Sequence, residues 1–347
     1  MTMIPPATPS ATAHAIRIAG TEQSFDCAGD DTLLRAAQRA GLGFPYECNT
    51  GACGNCRFEL VEGEISTAWP EAPAWSERDR QPRRHLGCQS MPLGPCTVKL
   101  RLAAPYAPVH RPLRTAAVLE SRRALTHDLH EFRFRCAQPL AFEPGQYALV
   151  QMPGVTGPRV WSMSNAAPPG APGDVLEFQV RQVPGGQGSQ ALFAMAPGTG
   201  VEIDGPYGMA WLRRDAERDL LCLAGGSGLA PMISIARGAR AEPRLASRHV
   251  HFVYGGRTPA DLCGEALLRA LPGWGERISY HPFVSSPPPD WQGPSGLVHE
   301  GARSLFGDRL RDFEVYFAGP PAMAQAVQRM LLDAGVPPEQ QHFDSFY

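Results

Sequence analysis

Strong charge of either sign is missing from this 347-residue sequence, and so, almost entirely, is lysine. The formal net charge is -2 and the pI is near 6.6, which excludes the basic field of a general nucleic-acid binder. Lys99 is the one lysine among 32 basic residues; with abundant Ala, Pro and Gly, this reads as genomic base composition rather than function. No export signal is legible, because MTMIPPATPSATAH has neither a basic n-region nor an apolar core. A disordered tail over residues 1–13 and a cytoplasmic location are expected. Apolar runs of membrane-spanning length are lacking as well. The most apolar stretch, Asp219–Ala236, is interrupted by Gly225, Gly226, Gly228 and Pro231 and is short for a span, so it reads as a buried strand, a turn and a helix. There is no internal repeat. These absences leave proteins and small molecules as partners, with no nucleic acid and no membrane, and a monomer is expected. In a reducing compartment the nine cysteines point to metal ligation rather than disulfides.

Four of those cysteines carry the strongest pattern. Cys48, Cys53 and Cys56 sit in ECNTGACGNC, with four residues between the first pair and two between the next, and Cys88 follows in HLGCQS. This is the spacing with which plant-type ferredoxins hold a 2Fe-2S cluster. Three thiolates from one tight loop converge on two irons while a distant fourth closes the site. Gly51 and Gly54, between the ligands, let the loop turn sharply and bring N–H groups towards cluster sulfurs. A structural zinc site is the alternative, although zinc more often takes its cysteines as two short pairs. Cys27, Cys96, Cys136, Cys222 and Cys263 lack such spacing and are expected to be small core residues.

The length suggests two or three domains, and the chain divides into three segments. Over 14–102, the runs HAIRIAG and QSFDCAG form a hairpin-like pair, Asp31-Thr32 caps the helical LLRAAQRAG, and FEL and CTVKLRL read as strands. The expectation is an α+β, β-grasp ferredoxin domain. Residues 103–112 are Pro-rich and read as a semi-extended linker. Residues 113–216 hold period-two runs, TAAVLESRRA, LHEFRFRC, QYALVQM and DVLEFQVRQV, separated by Gly and Pro clusters, as in an antiparallel β-barrel. Residues 217–347 alternate strand-like DLLCLA, RHVHFVYG, RISYHPF and FEVYFAG with helical stretches, which implies an α/β, Rossmann-like parallel sheet.

Arg159-Val160-Trp161-Ser162 follows the turn GVTGP, and Pro144-Gly145-Gln146-Tyr147 leads into the strand before it. Here the chain resembles the ferredoxin-NADP reductase superfamily, whose flavin motif is Arg, any residue, Tyr, Ser. The resemblance implies an FAD with Arg159 on its pyrophosphate, the ring of Trp161 against the isoalloxazine, and Ser162 near N5 as a catalytic residue. Trp161 keeps a flat aromatic surface but lacks the phenol hydroxyl of the usual Tyr. Gly186 and Ser189, in PGGQGSQALF, stand where a helix start would take the pyrophosphate, and GPYG at Gly205–Gly208 ends the barrel.

AGGSGLAPM resembles the family's Gly-Gly-Thr-Gly nicotinamide element, which implies Gly225, Gly226, Ser227 and Gly228 at the dinucleotide. Arg257, in YGGRTPADL, falls where the adenosine half is expected. With no second basic residue beside it in the sequence, NADH is favoured over NADPH. Gly319 and Pro320 lie in AGPPAM, which matches the family's Cys-Gly-Pro-Pro element except that Ala318 replaces the Cys. In the terminal HFDSFY, Phe346 is the candidate ring over the flavin and a second catalytic position.

Taken as a whole, the chain resembles the reductase components of bacterial multicomponent oxygenases. FPYECNTGACGNCRFELVEGEISTAWPEAPAW and HFDSFY look most like the toluene 4-monooxygenase members. The resemblance implies electron flow from NADH to FAD to the 2Fe-2S cluster, and on to a Rieske-type ferredoxin or a diiron hydroxylase of a toluene- or phenol-type monooxygenase. Phe44, Asn49, Thr50 and Ala52 are expected to face that partner. A ring-hydroxylating dioxygenase reductase and a non-enzymatic metal-binding redox module are the alternatives.

Overall fold

The computed structural model describes residues 12–76, 83–167 and 171–344. The chain forms two compact units, one built mainly from the chain up to Leu113 and the other mainly from 114–343.

In the first unit β1 (Ala13–Ile18) and β2 (Ser24–Ala28) form an antiparallel hairpin with Ile16 opposite Phe25. Helix α1 (Leu33–Arg39) starts where Thr32 Oγ1 accepts the N–H of Arg35, the N-cap bond its sequence calls for. The Asp31 carboxylate holds this cap from outside, accepting from the Thr32 N–H at 2.8 Å and from Arg39 at 2.8 Å. Strands β3 (Arg57–Glu62), β4 (Ile65–Thr67), β5 (Arg84–Leu86), β6 (Ser90–Pro92) and β7 (Cys96–Lys99) complete the unit. The main sheet runs β2-β1-β7-β3-β5 with β1 and β7 parallel, and β4 pairs with β6. A helix lying across a mixed sheet of this order is a β-grasp. The segment read as a linker begins folded onto this unit. Ala103 donates to the Gly43 carbonyl at 2.9 Å, Gln38 Nε2 donates to the Tyr106 carbonyl at 3.0 Å, and Ala104–Tyr106 form a 3-10 turn.

The second unit opens with β8 (Leu113–Ala124), β9 (Leu129–Leu140), β10 (Tyr147–Gln151), β11 (Arg159–Ser162) and β12 (Gly173–Arg181), followed by α2 (Gln187–Ala194) and β13 (Gly200–Tyr207). The strand order is β11-β10-β13-β8-β9-β12. The two edge strands meet through an antiparallel bridge between Met163 and Phe178, and the Ser164 N–H donates to the Glu177 carbonyl at 2.7 Å. That contact closes the sheet into a barrel, with Phe132, Phe134, Leu176 and Phe178 fully buried inside.

The chain continues as β14 (Asp219–Gly225), α3 (Leu229–Ala241), β15 (Val250–Gly256), α4 (Glu265–Arg269), β16 (Ile278–Val284), α5 (Val298–Phe306), β17 (Phe313–Ala318), α6 (Pro321–Asp333) and β18 (Gln341–His342). All neighbours in the order β16-β15-β14-β17-β18 are parallel. The unbroken apolar run of β14 follows from burial on both faces. Leu220, Cys222 and Ala224 pack into the core beside α3, and Leu221 and Leu223 into the core containing Val298, Ala302 and Val327. The strand order reverses between β14 and β17, and open parallel sheets bind ligands at such a point. Strand β18 has no counterpart in the sequence reading; at two residues it is too short to show a period.

No helix among the described residues is long and apolar enough to cross a membrane. None of the nine cysteines is joined in a disulfide. Cys27, Cys96, Cys136 and Cys222 are buried and Cys263 is half-buried, and burial pushes the Cys136 thiol up to about 12. Thiols so placed are core residues with little nucleophilic character.

Candidate functional site

The loop after α1 brings Cys48, Cys53 and Cys56 beside Cys88, which sits in the turn Gly87–Gln89 packed under that helix. Cys56 Sγ lies 3.4 Å from Cys88 Sγ. The N–H groups of Thr50 and Cys53 both donate to Cys48 Sγ, at 3.4 and 3.3 Å, and Gln89 Nε2 approaches Cys88 Sγ at 3.6 Å. Gly51 (φ 86°) and Gly54 (φ 79°) adopt left-handed conformations that only glycine takes without strain. A Cβ on Gly51 would lie 3.0 Å from that of Ala72, so the segment around Trp69–Trp75 closes directly over the loop. Arg57 braces it, donating to the Gly54 carbonyl at 2.8 Å and to that of Ala74 at 2.7 Å.

The electrostatics suit thiolate ligation. The Cys53 hydrogen bond, assisted by the Thr50 hydroxyl and the loop N–H groups, pulls the Cys48 thiol down to about 4. Cys88 is lowered mainly by the Cys56 hydrogen bond, with help from Gln89 and the charge of Arg35. Cys53, half-buried, and Cys56, buried, give those hydrogen bonds and move up. Four converging thiols, two of them favoured as thiolates and one of these, Cys48, fed by two backbone N–H groups, form a donor set suited to iron and sulfide. Phe44 and Asn49 are each only 1 % exposed. They are core residues of the loop and not the partner-facing surface the sequence suggested; Thr50 and Ala52 are half-exposed.

In the second unit Arg159, Trp161 and Ser162 all lie on β11, half-buried. The Arg159 side chain runs across the start of α2: a Cβ on Gly188 would stand 2.6 Å from its Cγ and Nε. Its Nη1 donates to the Thr156 and Gly157 carbonyls at 3.0 and 2.9 Å, which fixes the guanidinium beside the first turn of the helix. Gly186 is the N-cap. The Ser189 hydroxyl accepts the Val183 N–H at 3.0 Å and lies 3.2 Å from the Gly186 carbonyl, so it closes the preceding turn. What this helix start offers an anion is its backbone N–H groups, its dipole and Arg159. Trp161 stands 6.5 Å from Phe178, ring centroid to ring centroid.

The Gly-rich turn lies at the carboxyl end of β14, at the reversal point of the sheet. Gly226 has φ 57°. A Cβ on Gly228 would stand 2.0 Å from the Ala318 carbonyl oxygen, and one on Gly225 2.6 Å from Met323 Sδ. These glycines let the turn press against the loop Ala318–Pro320 at the end of β17. Ser227 is exposed and Ala318 and Gly319 are half-buried. Arg257 is exposed at the end of β15 in a loop stitched to β16, where the Ser286 N–H donates to its carbonyl at 2.8 Å. Phe346 lies outside the described residues.

Helix α3 joins the two halves of this unit. Ser234 Oγ donates to the Asn165 carbonyl at 2.6 Å and accepts the Gly145 N–H at 3.0 Å, while Arg237 donates to the Ser164 carbonyl at 3.0 Å and to Glu177 at 2.8 Å. The helix that begins at the Gly-rich turn is therefore bonded to the barrel two residues beyond Ser162. Arg181, which the sequence reading passed over, ends β12 with its guanidinium carbon 3.6 Å from the place of a Gly226 Cβ. Asp128 holds it at 3.5 Å and Asp261 at 4.0 Å. A basic residue three positions before the PGG turn was the available signal.

Comparison with known proteins agrees with this geometry. The 2Fe-2S iron-sulfur cluster binding domain matches residues 16–93, the oxidoreductase FAD-binding domain 116–211, and the oxidoreductase NAD-binding domain 222–329. The ferredoxin–NAD(P)+ reductase CarAd of Metapseudomonas resinovorans is 38% identical over 92% of this chain and 96% of its own length. The ferredoxin–NAD+ reductase component of the alkene monooxygenase system of Xanthobacter autotrophicus is 37% identical over 93% of this chain and 98% of its own. The solved ferredoxin reductase in carbazole 1,9a-dioxygenase superposes with a TM-score of 0.89 at 34% identity, covering 97% of this chain and 99% of that one. With a cluster domain, a flavin barrel and a nicotinamide domain in this order, the chain belongs to the ferredoxin–NAD(P)+ reductase components of oxygenase systems.

Proposed function

We propose that the chain takes electrons from NADH and hands them singly to a Rieske-type ferredoxin or a diiron hydroxylase of an aromatic, toluene- or phenol-type monooxygenase. The observation that carries this reading is the convergence of Cys48, Cys53, Cys56 and Cys88 in a chain that also has FAD- and NAD-binding domains. A bound flavin supplies what neither end of the relay has, acceptance of an electron pair as hydride and release of single electrons.

The chain's own residues prepare that exchange. Arg159 and the N–H groups of Gln187, Gly188 and Ser189, in the turn that Gly186 caps, hold the flavin diphosphate, Trp161 offers its ring to the isoalloxazine, and Ser162 presents a small hydroxyl that leaves room for nicotinamide. Gly225, Gly226, Ser227 and Gly228 with Gly319 and Pro320 seat the nucleotide, and Arg181 adds a cation beside Gly226. Arg257 faces the adenosine half. One exposed arginine with no basic companion in its loop favours NADH over NADPH. Phe346 completes the assignment as the ring over the flavin. The functional division is 14–102 for the cluster, 103–112 for the linker, 113–216 for FAD and 217–347 for the nucleotide, after the tail 1–13. Nine cysteines with no disulfide among them suit a cytoplasmic location, and the chain acts as a monomer.

A second reading, the reductase of a ring-hydroxylating dioxygenase, draws on the likeness to the carbazole 1,9a-dioxygenase reductase. It shares every step up to the partner. Anaerobic titration with NADH, followed by optical and electron paramagnetic resonance (EPR) spectra, tests the relay: flavin bleaching with a reduced 2Fe-2S signal is expected, and iron-free protein or an unreduced flavin would overturn it. Purified monooxygenase and dioxygenase components, assayed side by side, decide the partner.

A further inference from the structure

Asn49 follows the first cluster ligand and is one of two non-glycine residues with positive φ among the described residues, at 56°. Arg35 on α1 holds it twice, Nε donating to Asn49 Oδ1 at 3.1 Å and Nη2 to the Asn49 carbonyl at 3.4 Å. A guanidinium only donates, so it fixes which end of the amide it meets. The oxygen must face Arg35, and the NH2 group must face away. That nitrogen, Asn49 Nδ2, is buried with no hydrogen-bond partner, in a loop whose other N–H groups already point at Cys48 Sγ. An unsatisfied buried donor is costly and calls for an acceptor. The same two bonds hold the guanidinium against the residue next to ligand Cys48.

We infer that Arg35 and Asn49 act as a pair that raises the reduction potential of the cluster. Arg35 is a positioning residue: it sets the amide so that Nδ2 is free to donate to a cluster sulfur, and adds a positive charge to the same field. Taking up one electron makes the cluster one unit more negative, so both contributions favour the reduced state. A unit charge held within about 10 Å at an effective dielectric near 20 shifts such an equilibrium by roughly tenfold, which for a one-electron couple is ~59 mV. The inference rests on the cluster reading above.

The test is an EPR-monitored potentiometric titration of the holoprotein, with iron content and the flavin potential as internal references. Asn49→Gly keeps the backbone conformation, the charge and the Arg35 bond to the carbonyl, and removes the amide donor together with the oxygen that Arg35 Nε bonds. Arg35→Gln removes the charge. Both variants should lower the cluster potential by about this amount and leave the flavin potential alone, with Arg35→Lys falling between. Full iron content with an unchanged cluster potential in Asn49→Gly would overturn the inference. If one variant fails to retain iron, the other decides; if both lose the cluster, the pair is a structural brace and the inference fails. A wild-type protein with no 2Fe-2S signal would instead overturn the underlying reading.

Discussion

Replacing Gly228 with alanine separates two physical arguments that point in opposite directions. Its backbone, φ -61° and ψ -8°, suits alanine, so conformational entropy alone predicts a gain of about 0.4–1 kcal/mol. Contact predicts the reverse. The new Cβ would stand 2.0 Å from the Ala318 oxygen, 2.4 Å from its carbon and 2.8 Å from the Gly319 nitrogen. These are backbone atoms, which have no rotamer to change. To regain the 3.0 Å below which real Cβ contacts essentially never fall, the two loops must part by at least about 1 Å. Overpacking of this kind costs about 1–3 kcal/mol, and misplacement of a positioning element by about 1 Å can cost on the order of 100-fold in rate. Gly225→Ala is the control, because its Cβ meets the sulfur of Met323 at 2.6 Å, part of a flexible side chain that can swing aside. We expect Gly228→Ala to lower the melting temperature and raise the Kd for NADH at least tenfold with FAD retained, and Gly225→Ala to do much less. Wild-type stability and NADH affinity in Gly228→Ala would refute the argument.

Three more expectations concern separate parts of the molecule. Cys53→Ser should abolish reduction of a one-electron protein acceptor while NADH oxidation with ferricyanide continues; loss of both from a well-folded variant would contradict the electron order. Arg159→Ala should release FAD, since its guanidinium lies across the start of α2, and stoichiometric flavin after gel filtration would count against that placement. The third concerns His249, His251 and His281, whose rings lie 3.2, 2.9 and 3.1 Å from one hydroxyl, that of Ser279. Burial first, then neighbouring imidazoles, push His251 down to about 4, and burial also lowers the other two. The unfolded chain therefore binds more protons between pH 6.5 and 4, so stability present above 6.5 is lost as pH falls through that window. Discounted for partial exposure, His251 accounts for on the order of 1–2 kcal/mol. The stability advantage of wild type over His251→Gln should shrink by that much between pH 7.5 and 4.5 in urea titrations, and a constant advantage would exclude it.

The legible parts of the structure were those coded within a few residues. The cysteine spacing, the Thr32 cap, the two-sided burial of β14 and the glycines of its turn are all local patterns. What escaped depends on distant contacts. Nothing near Gly228 announces that Ala318, ninety positions on, determines how close the turn may come. The Ser189 hydroxyl looked available until the fold turned it back to Val183. Asn49 looked like an exposed loop residue because the sequence does not show Arg35 reaching across from α1. Arg181 stands beside Gly226 only because β12 ends where β14 does.

The contacts of helix α3 have a consequence for recombining these proteins. A chimera cut between residues 216 and 217 looks modular in sequence, yet it would separate Ser234 and Arg237 from the Gly145, Ser164, Asn165 and Glu177 groups they bond. An exchanged nucleotide half must bring a helix able to make the same four bonds, or the host barrel must be exchanged with it. The unit of inheritance is thus the barrel and sheet together.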